Sequence, residues 1–191
     1  MKLLWLDLET TGLDPARGKI LEVAAAVADL SAPFDLGPMY WRVLPLGTWE
    51  HAPLMDDYVR SMHTKSGLLG ECERAGGSTV ALAEAAHPRR AALAECDLLA
   101  MLPEPGSYER EDTPTLAGSS VHFDHGWLRV HMPTLAARLS HRHYDVSAVK
   151  LFCQSLGMPK LPRAEAHRAQ ADVRESVAHA QVCAKWLLAN R

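Results

Sequence analysis

A chain of 191 residues is long enough for one compact domain with a sizeable core, spanning 1–191, and short for two. Hydrophobic residues at 48% and charged residues at 23% are the proportions of a globular enzyme and exclude disordered, collagen-like and coiled-coil chains. Charges break every apolar stretch before it could span a bilayer, and a net charge of −3 is the wrong sign for a protein gripping long nucleic acid.

The first residues, through Leu6, are apolar, but Asp7 interrupts them too soon for a signal-peptide core. A buried strand over 2–8 is expected instead, followed by strands over 19–29 and 39–45 with Gly- and Pro-containing turns between them. Three strands joined by turns suggest an antiparallel meander. The pattern becomes helical from about residue 54, with Ser78 capping one helix and Pro88 opening another at its first turn. The polar, Pro-rich stretch 103–114 reads as an exposed loop, 115–121 as a short strand, and the chain from about 123 as helix. Tyr144, Asp145 and Val146 form a further short strand, with Ser147 as N-cap of the next helix. Val173, Val177, Ala180, Ala184 and Leu187 recur at three- and four-residue intervals, the stripe of a final amphipathic helix. Strands first, then helices alternating with strands, give an α/β or α+β domain with a mixed sheet. Cys72, Cys96, Cys153 and Cys183 are scattered without a Cys-x-x-Cys pair, which points away from a disulfide or zinc framework and towards the reducing cytoplasm.

Asp7 and Glu9 carry the chemistry. Residues two apart on a strand share a face, so both carboxylates project together at the strand's carboxyl end, just before the turn that starts at Thr10. Such a pair is either a solvent-facing accident of an edge strand or a cation site, and alone it favours neither. The apolar flank of Leu3, Leu4, Trp5, Leu6 and Leu8 buries the strand on both faces and favours a cation between the acids. Hard divalent ions such as Mg²⁺ prefer such oxygen ligands.

Asp7-x-Glu9-Thr10-Thr11-Gly12-Leu13 is similar to the first motif of the DEDD 3′→5′ exonuclease superfamily. Val121-His122-Phe123-Asp124, after Gly118-Ser119-Ser120, resembles the second, and His167-Arg168-Ala169-Gln170-Ala171-Asp172 the third, in its histidine branch. The resemblance implies a ribonuclease H-like mixed sheet flanked by helices, with the first three strands antiparallel. It also implies that Asp7, Glu9, Asp124 and Asp172 hold two divalent ions, Mg²⁺ or Mn²⁺, and that His167 is the general base for release of 5′-mononucleotides. Five residues on one ideal helix rotate by about 500°, so His167 and Asp172 would diverge by about 140°. Asp172 therefore belongs to the start of the last helix and His167 to the loop or first turn before it.

Outside the metal motifs, segments 54–68, 131–135, 142–147 and 174–177 are similar to those of oligoribonucleases, and the likeness covers nearly the whole chain. It implies that Leu13 wedges between bases, that His63 stacks on one, and that Tyr58 belongs to the surrounding aromatic wall. Ser120, His141, Arg142 and Ser147 would hold the 5′ phosphate of a substrate of two to a few nucleotides. The 142 region would come from a second subunit, making a homodimer. Ser119, His141 and Ala148 stand where the family usually has Asn, Tyr and Thr. Without the four ligand carboxylates the rest of the chain carries only +1, little reach for a long polynucleotide. The competing reading is a histidine-branch exonuclease trimming longer single-stranded DNA or RNA. A nucleotide-binding module without catalysis, and a transition-metal site at His141 and His143, are weaker alternatives.

Overall fold

Strand β1 (Lys2–Thr10) is apolar on both sides, and it occupies the centre of a five-stranded sheet of order β3-β2-β1-β4-β5 in the computed structural model. The structure describes residues 1–31, 34–46, 55–76, 80–163 and 166–190. β1 pairs antiparallel with β2 (Ile20–Asp29), which pairs antiparallel with β3 (Tyr40–Val43), so the expected meander is present. On its other edge β1 runs parallel to β4 (Thr115–Gly118), and β4 runs parallel to β5 (His143–Asp145).

Alternation along β1 divides the core in two. Leu4, Leu6 and Leu8 pack beneath α3 (Val80–Ala100), α4 (His122–His131) and α5 (Pro133–Arg138), through Ala94, Leu98, Trp127, Leu128 and Leu135. Leu3 and Trp5 face the opposite layer, where Val146 of α6 (Val146–Ser155) and Val173, Val177 and Ala180 of α7 (Ala169–Ala189) cover them. Each such side chain removed from water contributes roughly 1.5–3 kcal/mol. Asp7 and Glu9 have the same parity as Leu3 and Trp5, so they point into the α7 layer. Two shorter helices, α1 (Asp57–Lys65) and α2 (Leu68–Gly76), close the β2–β3 end, with Leu68, Leu69 and Cys72 packed on Leu21 and Leu46.

Several local expectations are corrected. Pro88 does not open a helix but lies inside α3. Its missing N–H is a local cost, outweighed by burial of Ala91, Ala94 and Leu98 and by buried His87, whose Nε2–H donates to the Ile20 carbonyl at 2.9 Å. The strand expected over 115–121 stops at Gly118. A Cβ at Gly118 would sit 2.7 Å from the Leu6 carbonyl oxygen, and Ser120 turns the chain with φ +59°. Ser147 is not the cap of α6. Asp145 is, accepting the Ser147 N–H at 2.8 Å. Ser78 lies outside the described residues. The 103–114 stretch is mostly exposed, with one short 3₁₀ turn, Arg110–Asp112.

Candidate active site

Parallel pairing brings the carboxyl ends of β1 and β4 to one edge of the sheet, and the amino end of α7 meets them there. Asp7, Glu9 and Asp172 each place a carboxylate oxygen within 4.8 Å of the other two, a group able to hold a metal ion. Asp124, on the first turn of α4, stands beside Asp7 and is 4% exposed. Its Oδ1 accepts the Leu8 N–H at 3.0 Å, which fixes α4 against β1.

Electrostatics describe a site that wants positive charge. Burial, then Asp124, Glu9 and Asp172, push the Asp7 carboxyl well above the usual range. Burial and the neighbouring Asp172 and Glu22 push Glu9 up to about 8, and burial, with a smaller push from Asp145, carries Asp124 to about 8 against the opposing Leu8 N–H. Asp172 is raised by burial as well, with the neighbouring Glu9 carboxyl working the other way. A hard dication is the natural replacement for those protons.

His167 sits outside the regular helix, as the five-residue spacing requires, with φ +46°. Left-handed backbone is uncommon outside glycine and costs a non-glycine residue about 1–3 kcal/mol, so the surrounding structure must hold it there. His167 lines a recess of about 290 Å³ with Tyr58, Ser61, Met62, Lys65, Ser66 and Ala166. It stands within electrostatic reach of Asp172 and His63, at the mouth of the acidic group.

The expected base-binding residues divide. Leu13 and Tyr58 are 84% and 74% exposed, two large apolar surfaces left in water, Tyr58 in the recess that His167 lines. His63 is different: it is fully buried and not free to stack. Its Nε2–H donates to the Thr10 carbonyl at 2.9 Å, and its Nδ1 lies 3.9 Å from Glu9 Oε2. Burial holds its pKa below the ordinary histidine value. α1 thus turns His63 inward as a neutral plug behind Glu9, while Tyr58 faces out.

Ser120 and Ser147 come together, their Oγ atoms 3.2 Å apart. Asp145 unites them by accepting both backbone N–H groups, at 3.0 and 2.8 Å. Ser119 Oγ reaches Ser176 on α7 at 2.9 Å. His141 and Arg142 are exposed and precede β5, so they lie at the opposite end of that parallel strand from Ser120. The three residues to Asp145 span about 10 Å. His143 packs edge-on against His125, ring centroids 4.8 Å apart, and neither it nor His141 joins a metal-binding group among the described residues.

Two functional neighbours escaped the sequence reading. Glu22 is fully buried in β2 directly opposite Glu9, and Arg168, next to His167, grips it. The available signal was a single acid inside the apolar run of β2, which demands a partner.

No family model matches the chain. Oligoribonuclease from Corynebacterium diphtheriae is 36% identical over 182 residues, covering 92% of this chain and 78% of that protein. Oligoribonuclease from Mycobacterium tuberculosis is 35% identical over 184 residues (92% and 76%), and that from Idiomarina loihiensis 33% identical over 185 (94% and 91%). Among solved structures, E. coli exonuclease I in complex with a 5cy-dA13 oligonucleotide superposes with a TM-score of 0.60 at 18% identity, covering 94% of this chain and 39% of that one. That likeness concerns the fold, and it agrees with the ribonuclease H-like sheet. Identity above 30% along nearly the whole chain decides the family: the chain belongs to the oligoribonucleases.

Proposed function

We propose that this chain is a 3′→5′ exoribonuclease that degrades dinucleotides and other very short RNAs to 5′-mononucleotides. The observation that carries it is the convergence of Asp7, Glu9 and Asp172, with Asp124 alongside and His167 at the mouth. The donor set fits the expected cofactor, because clustered buried carboxylates with raised pKa values suit hard ions. Asp7, Glu9, Asp124 and Asp172 would hold two Mg²⁺ or Mn²⁺ ions, which when bound supply Lewis-acid activation and neutralise charge on the phosphate.

The protein's own groups then do the rest. His167, whose imidazole can both take and give up a proton, accepts the proton of the attacking water. Its position outside α7 leaves it free of the helix's hydrogen-bonding pattern while Asp172 stays anchored in it. Leu13 inserts between the last two bases and Tyr58 offers a face to one of them, contacts worth about 1–3 kcal/mol per base whatever the sequence. The hydroxyls of Ser120 and Ser147 receive the 5′ phosphate. Arg142 of a second copy closes that pocket, since the Arg142 of the same chain is at the far end of β5. That separation supports the homodimer that the family resemblance implies, in which a pocket closed at its 5′ side would select short strands. No helix among the described residues is long and apolar enough to cross a membrane, and the four free cysteines support a cytoplasmic setting.

Turnover of 5′-phosphorylated RNAs from two to about ten nucleotides, a span of one single-strand binding site, tests the reading with Mg²⁺ or Mn²⁺. A steep preference for the dinucleotide supports it, and indifference to length transfers the chain to trimming of longer strands. His167→Ala is expected to lose most turnover while binding metal as before.

A further inference from the structure

We infer that Arg168 is a positioning residue for His167, locked by the two carboxylates of Glu22 and Glu71 so that the left-handed peptide before it cannot relax. The inference rests on the reading of His167 as proton acceptor. It begins with Glu22, which shares a face with Asp7 and Glu9 and lies opposite Glu9 in the β1–β2 register. A fifth acid there, itself fully buried, adds to the repulsion on both Asp7 and Glu9, and it is tolerated only if paired.

Arg168 supplies the pairing on one edge of its guanidinium. Its Nε and Nη2 donate to Glu22 Oε1 at 3.1 and 2.9 Å. Through Nη1 and Nη2 it also donates to Glu71 Oε1 and Oε2, at 3.1 and 2.8 Å. Nη1 further meets the Ser66 carbonyl at 3.5 Å, and the guanidinium carbon is 6.0 Å from the centre of the Trp41 ring. One planar cation thus joins β2, α2, the end of α1 and the start of α7. Trp41 Nε1–H also donates to Glu22, which ties β3 to the same carboxylate.

The backbone is held by the same acid. Arg168 occupies the N-cap position of α7 in extended geometry but makes no side-chain cap bond. Glu22 Oε2 takes the role instead, accepting the Ala169 N–H at 2.8 Å. Glu22 therefore fixes both the side chain of residue 168 and the first N–H of α7. His167, one peptide earlier at φ +46°, is thereby tethered on its carboxyl side. Asp172 follows within the same first turns, its N–H bonded to the Arg168 carbonyl at 3.0 Å. Base and carboxylate ligand are thereby set on one rigid frame. A lysine at 168 would keep the charge but not the two planar forks.

Arg168→Lys, Arg168→Gln and the pair Arg168→Gln/Glu22→Gln separate positioning from simple neutralisation of Glu22. Each is assayed in the full chain on a 5′-phosphorylated dinucleotide with Mn²⁺, with thermal unfolding and His167→Ala in parallel. The expected result is that Arg168→Lys keeps the wild-type KM and remains folded at the assay temperature while kcat falls about 10- to 100-fold, the cost of a base displaced by about an ångström. The double variant is expected to regain the melting temperature lost by Arg168→Gln without regaining kcat. Wild-type kcat in Arg168→Lys or in the double variant overturns the inference, as does a kcat loss in Arg168→Lys that only tracks loss of folded protein. Wild-type turnover in His167→Ala overturns the general-base reading itself, a distinct outcome.

Discussion

Glu9→Gln should stabilise the metal-free protein while destroying its activity. Burial and its acidic neighbours push the Glu9 carboxyl from 4.5 up to about 8. The folded state therefore holds a proton that the unfolded chain releases, and stability that is full below pH 4.5 drains away as pH rises towards 8. The whole gap corresponds to about 5 kcal/mol at 1.36 kcal/mol per pKa unit. Asp172 beside it keeps its own raised carboxyl, so Gln, which removes one charge of the pair, recovers about half of that, roughly 2–3 kcal/mol. For a chain of this size that is about 4–12 °C in melting temperature. Thermal unfolding in chelator from pH 5 to 8 reads it. Wild type should lose stability steadily across the range, the variant should lose less, and added Mg²⁺ should restore the wild type above pH 7. A flat metal-free wild-type curve, or a Gln variant equally weakened at pH 8, would refute the view that unneutralised carboxylates dominate this site.

Leu13→Ala should raise KM for a dinucleotide roughly 5- to 150-fold, the worth of one stacked base, and leave the melting temperature unchanged because Leu13 is 84% exposed. Gly118→Ala should destabilise the fold by about 1–3 kcal/mol in urea titration, since its Cβ would meet the Leu6 backbone oxygen at 2.7 Å. Asp145→Ala should cost about 1 kcal/mol through loss of the α6 cap. It should also weaken preference for a 5′-phosphorylated over an unphosphorylated dinucleotide, because Asp145 aligns Ser120 and Ser147.

Periodic features were legible in the sequence. Alternation along β1 put Asp7 and Glu9 on one face, and the 3.6-residue stripe of α7, with the five-residue gap, put His167 outside the helix and Asp172 within it. Features set by tertiary packing were not. Local propensity ends a helix at Pro88, whereas α3 gains more from burying Ala91, Ala94 and Leu98 than it loses in one backbone bond. Tyr58 and His63 are five residues apart on α1, and only the docking of that helix sends one to solvent and the other behind Glu9.

Glu22 marks the boundary between the two kinds of information. Within β2 its place on the sheet follows from alternation, and a charge in so apolar a strand announces an unmet demand. What meets the demand is Arg168, 146 residues later, and no local pattern connects them. That pairing is also where fold and chemistry join. Asp124 and Asp172 raise Asp7 and Glu9 by repulsion, in a cluster that could hold a cation, and Glu22 adds a further charge to it. By drawing in the residue next to His167, Glu22 turns that liability into the tether holding the amino end of α7 against the sheet. On the proposed reading of His167, the acidic edge of the sheet thus holds its own base in place.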